Sequence, residues 1–178
     1  LDNRETKIFG FQQDWMFDTL SDHVLRWGLG ARWESAAFEY RGVAEYHGFY
    51  EFYPGVDNPV SRKVDAKPDG NSYSLYLSDR WQMTDRTGVE LGLRWDRQTY
   101  TEPEFDDQIS PRVSLMHSIG ESTKLRATWG RYYQSQAIQD LQVEDGQDRY
   151  LAPQRSDHWI AGIQHRFGED YRLRTEVF

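Results

Sequence analysis

Residues 89–96 read Val-Glu-Leu-Gly-Leu-Arg-Trp-Asp, and this alternation of apolar with charged or small side chains returns along most of the chain. A period of two belongs to a β-strand, whose successive side chains point to opposite faces. Val89, Leu91, Leu93 and Trp95 share one face, while Glu90, Gly92, Arg94 and Asp96 take the other. Stretch 24–34 sets Leu25, Trp27, Leu29, Ala31 and Trp33 against Arg26, Gly28, Gly30, Arg32 and Glu34, and in 124–132 Leu125, Ala127 and Trp129 oppose Arg126, Thr128 and Gly130. Phe9, Phe11, Trp15 and Phe17 keep the same rhythm, as do Tyr73 with Leu75 and Leu77, Val113 with Leu115, Trp159 with Ala161, Ile163 and Phe167, and Leu173 with Val177. The pattern resolves into about eight strands, each near the ~9–11 residues that cross a bilayer when tilted. It also accounts for an odd composition: aromatics make up 15% of a chain whose mean hydropathy is −0.86, because they occupy alternate positions.

The phase of the alternation is fixed by cost. An arginine facing lipid at mid-depth costs roughly 2–4 kcal/mol in a membrane barrel. Turning the strands over would expose Arg32, Arg94 and Arg126 together, so in a bilayer the apolar set must face outward. Gln13, Asp79 and His165 share the parity of the apolar set. Asp79 and His165 lie near expected turns, where headgroups or a bulge accommodate them; Gln13 has no such account. The same alternation also suits a water-soluble antiparallel sandwich with its apolar face turned inward.

The connections favour the membrane reading over a sandwich, although a soluble barrel with one elaborated mouth would share their pattern. Tight ones at 18–21, 84–87, 120–123 and 168–170 are rich in Asp, Gly, Ser and Thr, the residues of short turns. Between them lie long segments at 36–70, 100–108 and 134–155. Short turns on one rim and long loops on the other are what a barrel inserted from one side of a membrane requires. Residues 36–55 are unusually aromatic for a connection, and part of them can extend the strands above the bilayer; residues 56–70, with Pro59, Pro68 and Gly70, form the tip. The segment 135–141 is expected to make a helical turn ahead of the acidic run Glu144-Asp-Gly-Gln-Asp148.

Several function classes fall away. The chain has no cysteine, so it has no disulfide, thiolate metal site or cysteine nucleophile. It lacks an apolar run near the ~18 residues of a membrane helix. With 29 acidic against 21 basic residues and a formal charge of −8, it does not suit nucleic acid. Gly120-Glu-Ser-Thr-Lys124 lacks the order of a phosphate loop, and Gly28-Leu-Gly30 lies inside a strand, where glycine marks close approach of a neighbouring backbone. The histidines show no metal-ligand spacing, and His158 and His165 face opposite ways. Two acidic groups, Glu102, Glu104, Asp106 and Asp107, and Asp140, Glu144, Asp145 and Asp148, have the oxygen chemistry of calcium loops without the pattern of one. No catalytic residue, metal or cofactor is assigned.

The polar face carries the remaining chemistry. Arg26, Arg32, Glu34, Glu90, Arg94, Asp96, Arg112 and Arg126 are expected to line a barrel lumen, with Arg172, Arg174 and Glu176 beyond them. Buried charges must be paired, so most of this wall is expected to be salt-bridged. Toward the long-loop end, Tyr100, Arg131, Tyr132 and Tyr133 are the candidates for contact with an entering solute, since aromatic faces and guanidinium forks suit planar, anionic or carbohydrate-like groups.

Tyr76-Leu-Ser-Asp-Arg-Trp81 followed by Val89-Glu-Leu-Gly-Leu-Arg-Trp-Asp96 resembles the paired barrel strands of TonB-dependent outer-membrane receptors. Ser110-Pro-Arg-Val-Ser-Leu115, Leu125-Arg-Ala-Thr-Trp-Gly-Arg131 and Asp157-His-Trp-Ile-Ala-Gly-Ile-Gln-His-Arg-Phe167 are similar, in the same order, to later strands of that family. The resemblance implies an all-β antiparallel meander within a barrel of about 22 strands with a plugged lumen, set in the cell outer membrane. It implies uptake of a scarce solute, such as an iron chelate, cobalamin or an oligosaccharide, powered by an inner-membrane TonB complex, with no enzymatic activity. Residues 1–178 are expected to be a partial barrel without a plug domain, cut within a strand, because Arg172, Arg174 and Glu176 occupy the phase in which a barrel's last strand carries apolar residues. Two other readings remain open: a complete small eight-stranded outer-membrane barrel, and a soluble carbohydrate-binding β domain.

Overall fold

A computed structural model describes residues 1–45, 59–101 and 107–178. They form a single antiparallel sheet of nine strands: β1 (Asp2–Leu20), β2 (His23–Ala44), β3 (Val60–Ala66), β4 (Asp69–Thr84), β5 (Thr87–Gln98), β6 (Asp107–Ile119), β7 (Thr123–Gln134), β8 (Gln154–Phe167) and β9 (Tyr171–Val177). The order is that of the sequence, with β3 continuing the line of β4 beside the far end of β2. Pro68 makes that break: it has no N–H for the ladder, but its carbonyl accepts from Ala36 N at 2.9 Å and holds the two segments in line. Pro111 acts similarly, as the β6–β7 ladder begins only at the next residue, Arg112 opposite Gly130.

The register brings the apolar residues of every strand into one continuous face. Phe9 pairs with Trp33 and Trp15 with Trp27; Trp27 pairs with Leu77, Leu77 with Leu93, Leu91 with Val113, Trp129 with Trp159 and Ala161 with Val177. Trp15 stacks on Trp27 with ring centroids 3.9 Å apart. Among the described residues no second layer covers this face: Leu93 is 53% exposed and Trp159 70%. A water-soluble sandwich would bury these rings between sheets, so the soluble reading is overturned. Among the described residues β1 and β9 do not pair with each other, so they do not form the closed eight-stranded barrel of the other alternative.

Two expectations need correction. All strands but the seven-residue β3 and β9 are longer than ~9–11 residues, with β1 spanning 19 and β2 spanning 22. At ~3.3 Å per residue and ~45° tilt, nineteen residues rise about 44 Å, beyond the ~30 Å of hydrocarbon. The segment 36–70 is accordingly not one long connection: β2 runs to Ala44 and β3 resumes at Val60. The alternation continues there without membrane-grade hydrophobicity, which is why the strand end is hard to see in the sequence. The tight turns stand where expected, with Gly120 and Gly168 both at φ 65°, a conformation open to glycine at no steric cost.

The phase assignment has a direct consequence. Leu93→Arg is expected to destabilise the folded barrel in lipid by about 2–4 kcal/mol, with Arg94→Leu much milder, as measured by urea unfolding of the full-length protein in vesicles. Equal losses would contradict the assignment.

Candidate solute-facing concavity

On the charged face, glycines let neighbouring side chains lie flat across the strands. A Cβ on Gly28 would meet Asp14 Oδ1 and Tyr76 Cε1 at 2.5 Å each. Through that gap the Tyr76 hydroxyl of β4 reaches over β2 and donates to Asp14 of β1 at 2.7 Å. Gly92 likewise leaves room for the Arg112 side chain. The expected close approach at Gly28 is therefore made chiefly by side chains.

The polar wall is partly neutralised in short pairs. Arg94 binds Asp96 through two hydrogen bonds of 2.6 Å, Arg174 meets Glu176 at 2.6 Å and Arg80 meets Glu90 at 3.5 Å. Glu34 is buried, accepting from the Ser72 hydroxyl at 2.8 Å and facing Arg32 at 3.2 Å. Among the described residues Arg26, Arg112 and Arg126 have no carboxylate within ion-pair distance. The expected salt-bridged wall is thus incomplete, and Arg166 and Arg172 on the same face likewise have no carboxylate partner among the described residues.

The segment between β7 and β8 folds over the long-loop end of this face. Ile138, Leu141 and Val143 are fully buried and pack with Tyr150 against Ala36, Phe38 and Val64 of β2 and β3. This small cluster is the buried apolar core of the described residues. Arg4 of β1 reaches Glu144 at 3.0 Å, and Arg62 of β3 donates to the Glu144 carbonyl and faces Asp145 at 3.4 Å. The cap therefore crosses from β7 to the first three strands. Its helical turn is the 3-10 segment Val143–Asp145, later than the expected 135–141. Glu144 and Asp145 point to different arginines, and no group of three or more His, Asp or Glu side chains gathers as a metal site among the described residues. Glu102, Glu104 and Asp106 lie outside the described residues.

On the wall beside the start of the cap lies a concavity of about 670 Å³, bordered by Gln12, Arg32, Ser72, Arg94, Asp96 and Gln108 and, at the cap's first residues, by Ser135. At its upper edge, the Gln98 side-chain oxygen and the Gln108 side-chain nitrogen are buried without a hydrogen-bond partner among the described residues. They supply one acceptor and one donor on adjacent strands. The short turns are on the opposite rim, so the concavity opens from the long-loop side.

The four residues singled out for solute contact are divided. Tyr100 supports the cap from below: its ring meets Tyr150 edge-on at 4.9 Å and its hydroxyl donates to the Gln136 carbonyl at 3.3 Å. Burial pushes the Tyr100 phenol up to about 12 and raises that of Tyr150 as well, so both are neutral hydrogen-bonding groups at physiological pH. Tyr132 has the phase of the charged face, beside Gly130 and with its ring 5.1 Å from His158. Arg131 has the opposite phase and pairs with Asp157 at 2.8 Å. Tyr133 reaches Arg131 and also borders the concavity. Arg26, Arg32, Glu34, Glu90, Arg94, Asp96, Arg112 and Arg126 all fall on the face that the cap covers, as their register shows. Sequence reasoning missed Gln98 and Gln108, and it missed the cap; the apolar Ile138, Leu141 and Val143 inside an otherwise polar connection were its signal.

A single-layer sheet with an exposed apolar face, a charged face, short turns and a folded cap is a wall, and comparison shows to what kind of barrel it belongs. A family model described as TonB dependent receptor-like, beta-barrel, matches residues 2–178. The chain belongs to this family. The TonB-dependent receptor barrel stands in the outer membrane, so the exposed apolar face is the lipid face, and the family and fold are those of transporters and receptors. Among solved structures, the siderophore receptor PirA from Pseudomonas aeruginosa aligns with 98% of this chain and 32% of its own, at TM-score 0.63 and 15% identity. The copper transporter OprC aligns over 98% and 30%, at TM-score 0.63 and 16% identity. The outer membrane transporter YddB from Escherichia coli aligns over 97% and 25%, at TM-score 0.61 and 20% identity. The chain thus spans about a third or less of the length of these neighbours. No curated protein matches it significantly.

Removing the aromatic anchor of the cap is a direct check. Phe38→Ala is expected to loosen the cap by about 3–5 kcal/mol, the usual cost of emptying a buried phenylalanine site, seen as faster protease cleavage within 135–153 while the barrel stays folded. Unchanged cleavage would show that the cap is held by other means.

Proposed function

We propose that this segment forms part of the wall of a receptor for energy-coupled uptake of a scarce solute, completed by further strands, a lumen plug and an inner-membrane TonB complex. Within the solute classes open to such a receptor, an anionic metal chelate suits this wall better than cobalamin or an oligosaccharide. The observation that carries this choice is the set of unneutralised guanidinium groups on the charged face, Arg26, Arg112 and Arg126 among them, which lie lower on the wall than the concavity. Guanidinium forks bind planar anionic oxygen groups bidentately. The neighbours named a siderophore receptor and a copper transporter are compatible with a metal-bearing solute.

In this reading the solute enters at the long-loop rim and meets Tyr132 and Tyr133 first. Tyr100 shapes the site by holding the cap, and Arg131, bound to Asp157, steadies the rim beside Tyr133. Arg32, Arg94 and their carboxylate partners Glu34 and Asp96 give the concavity directional donors and acceptors. Glu90 balances Arg80 lower on the wall. The unpartnered amide atoms of Gln98 and Gln108 offer hydrogen bonds to whatever fills the concavity.

In cells that depend on the full-length receptor for an iron chelate, uptake is expected to require TonB. Replacing Arg112 and Arg126 by Gln is expected to reduce it by roughly tenfold or more, since a hydrogen bond to a charged group contributes about 1.5–3 kcal/mol, with surface expression unchanged. Uptake that persists without TonB would contradict the energy coupling; full uptake by the double variant would contradict the anionic assignment.

A further inference from the structure

The lipid face carries few polar side chains until it nears the short turns, and there three of the chain's five histidines stand on it. His23 opens β2 directly after a turn, His117 precedes Gly120 by three residues and His165 precedes Gly168 by three. Three strand residues at ~3.3 Å each and ~45° tilt span about 7 Å, the depth of a headgroup layer around a ~30 Å hydrocarbon core.

All three rings are held in the same manner. Nδ1 of His23 lies 2.8 Å from Asp79 on β4, Nδ1 of His117 lies 3.0 Å from the Thr87 hydroxyl on β5, and Nδ1 of His165 lies 2.8 Å from the Thr123 hydroxyl on β7. Each bond crosses to a neighbouring strand. His23 also stacks on Trp81 at 5.4 Å and His165 meets the edge of Phe167 at 4.4 Å. With Nδ1 engaged, Nε2 is the only ring group left to hydrogen-bond outward, and among the described residues it has no partner on any of the three. The polar residues Asp79 and His165, out of place on an apolar face, thus belong to one repeated arrangement.

We propose that these imidazoles form a headgroup-binding belt, each Nε2 meeting the phosphodiester of a phospholipid at the short-turn rim. A threonine hydroxyl that donates to Nδ1 leaves the ring proton on Nε2, so His117 and His165 become outward donors to anionic oxygen. At His23 the partner of Nδ1 is the Asp79 carboxylate, which holds the ring by that atom and leaves Nε2 as its outward one. Strands lie ~4.8 Å apart, which puts His117 and His165 about 10 Å apart across β7 and His23 about 14 Å from His117, so each takes its own headgroup. A phospholipid is the natural occupant because the belt continues the lipid face at headgroup depth. The His23 ring, moreover, is backed by Trp81, a side chain type that favours that layer.

The test uses the full-length receptor in nanodiscs with spin-labelled phosphatidylglycerol and, separately, spin-labelled diacylglycerol, which lacks the phosphate. His117→Phe with His165→Phe keeps the rings and removes the nitrogens. This variant is expected to bind the phosphatidylglycerol probe roughly tenfold more weakly, the worth of a hydrogen bond to a charged group, and to leave diacylglycerol contact unchanged. Thr87→Val with Thr123→Val keeps the imidazoles but frees their orientation, and is expected to weaken the same probe less. Undiminished phosphatidylglycerol binding by the phenylalanine variant would overturn the belt, as would equal loss of both probes, which would mark a packing defect.

Discussion

Every backbone N–H and C=O that enters hydrocarbon must find its partner within the protein, because lipid offers none. The rest of this structure follows from that constraint. A sheet meets it by pairing strand to strand, and here the ladders pass along the chain in sequence order, with β3 beside the far end of β2. Once the backbone is satisfied in this way, the side chains are free to divide by parity: rings and aliphatic chains toward lipid, guanidinium and carboxylate groups toward the interior. A soluble protein of this composition would need a second layer to hide Leu93 or Trp159. The TonB-dependent receptor family needs none, since the bilayer is the second layer.

The same division explains where packing of the ordinary kind is found. Away from the bilayer, β2 and β3 extend beyond the hydrocarbon and lose lipid as a partner for their side chains. There the cap supplies one, burying Ile138, Leu141 and Val143 against Phe38 and Val64 and anchoring through Arg4 and Arg62. The concavity lies on the wall beside the start of the cap, where Gln136 meets Gln98, and the unpartnered amide atoms of Gln98 and Gln108 stand at its edge. Packing at the rim thus comes from one loop, and the shape of the site chiefly from the strands beside it.

Most of the fold was legible in the sequence because the period-two pattern is a direct image of two unlike surroundings. The tight turns were legible for the same reason that they are tight: Gly120 and Gly168 stand where φ is positive. The pattern failed where surroundings changed along a strand. Residues 36–44 are strand but face water and the cap instead of lipid, so Glu39 and Arg41 sit at positions that nearer the membrane would be apolar. Site residues were harder. Arg94 and Asp96 were legible by phase, while Arg131 has the other phase and is held by Asp157, a partner supplied by cross-strand register. The cap was invisible to a reading based on alternation, since its contacts join β7–β8 to β1–β3 through tertiary packing alone.

The central claim is that odd positions of the apolar set look into lipid. The chain has no cysteine, so each residue from 89 to 96 can be replaced singly by Cys, provided the rest of the receptor lacks accessible thiols, and spin-labelled in the full-length receptor in bilayers. Collision with molecular oxygen, which concentrates in hydrocarbon, should peak at 89, 91, 93 and 95, and collision with a water-soluble nickel chelate should peak at the even positions. Accessibilities that rise and fall together along 89–96, or that show the reverse parity, would contradict it.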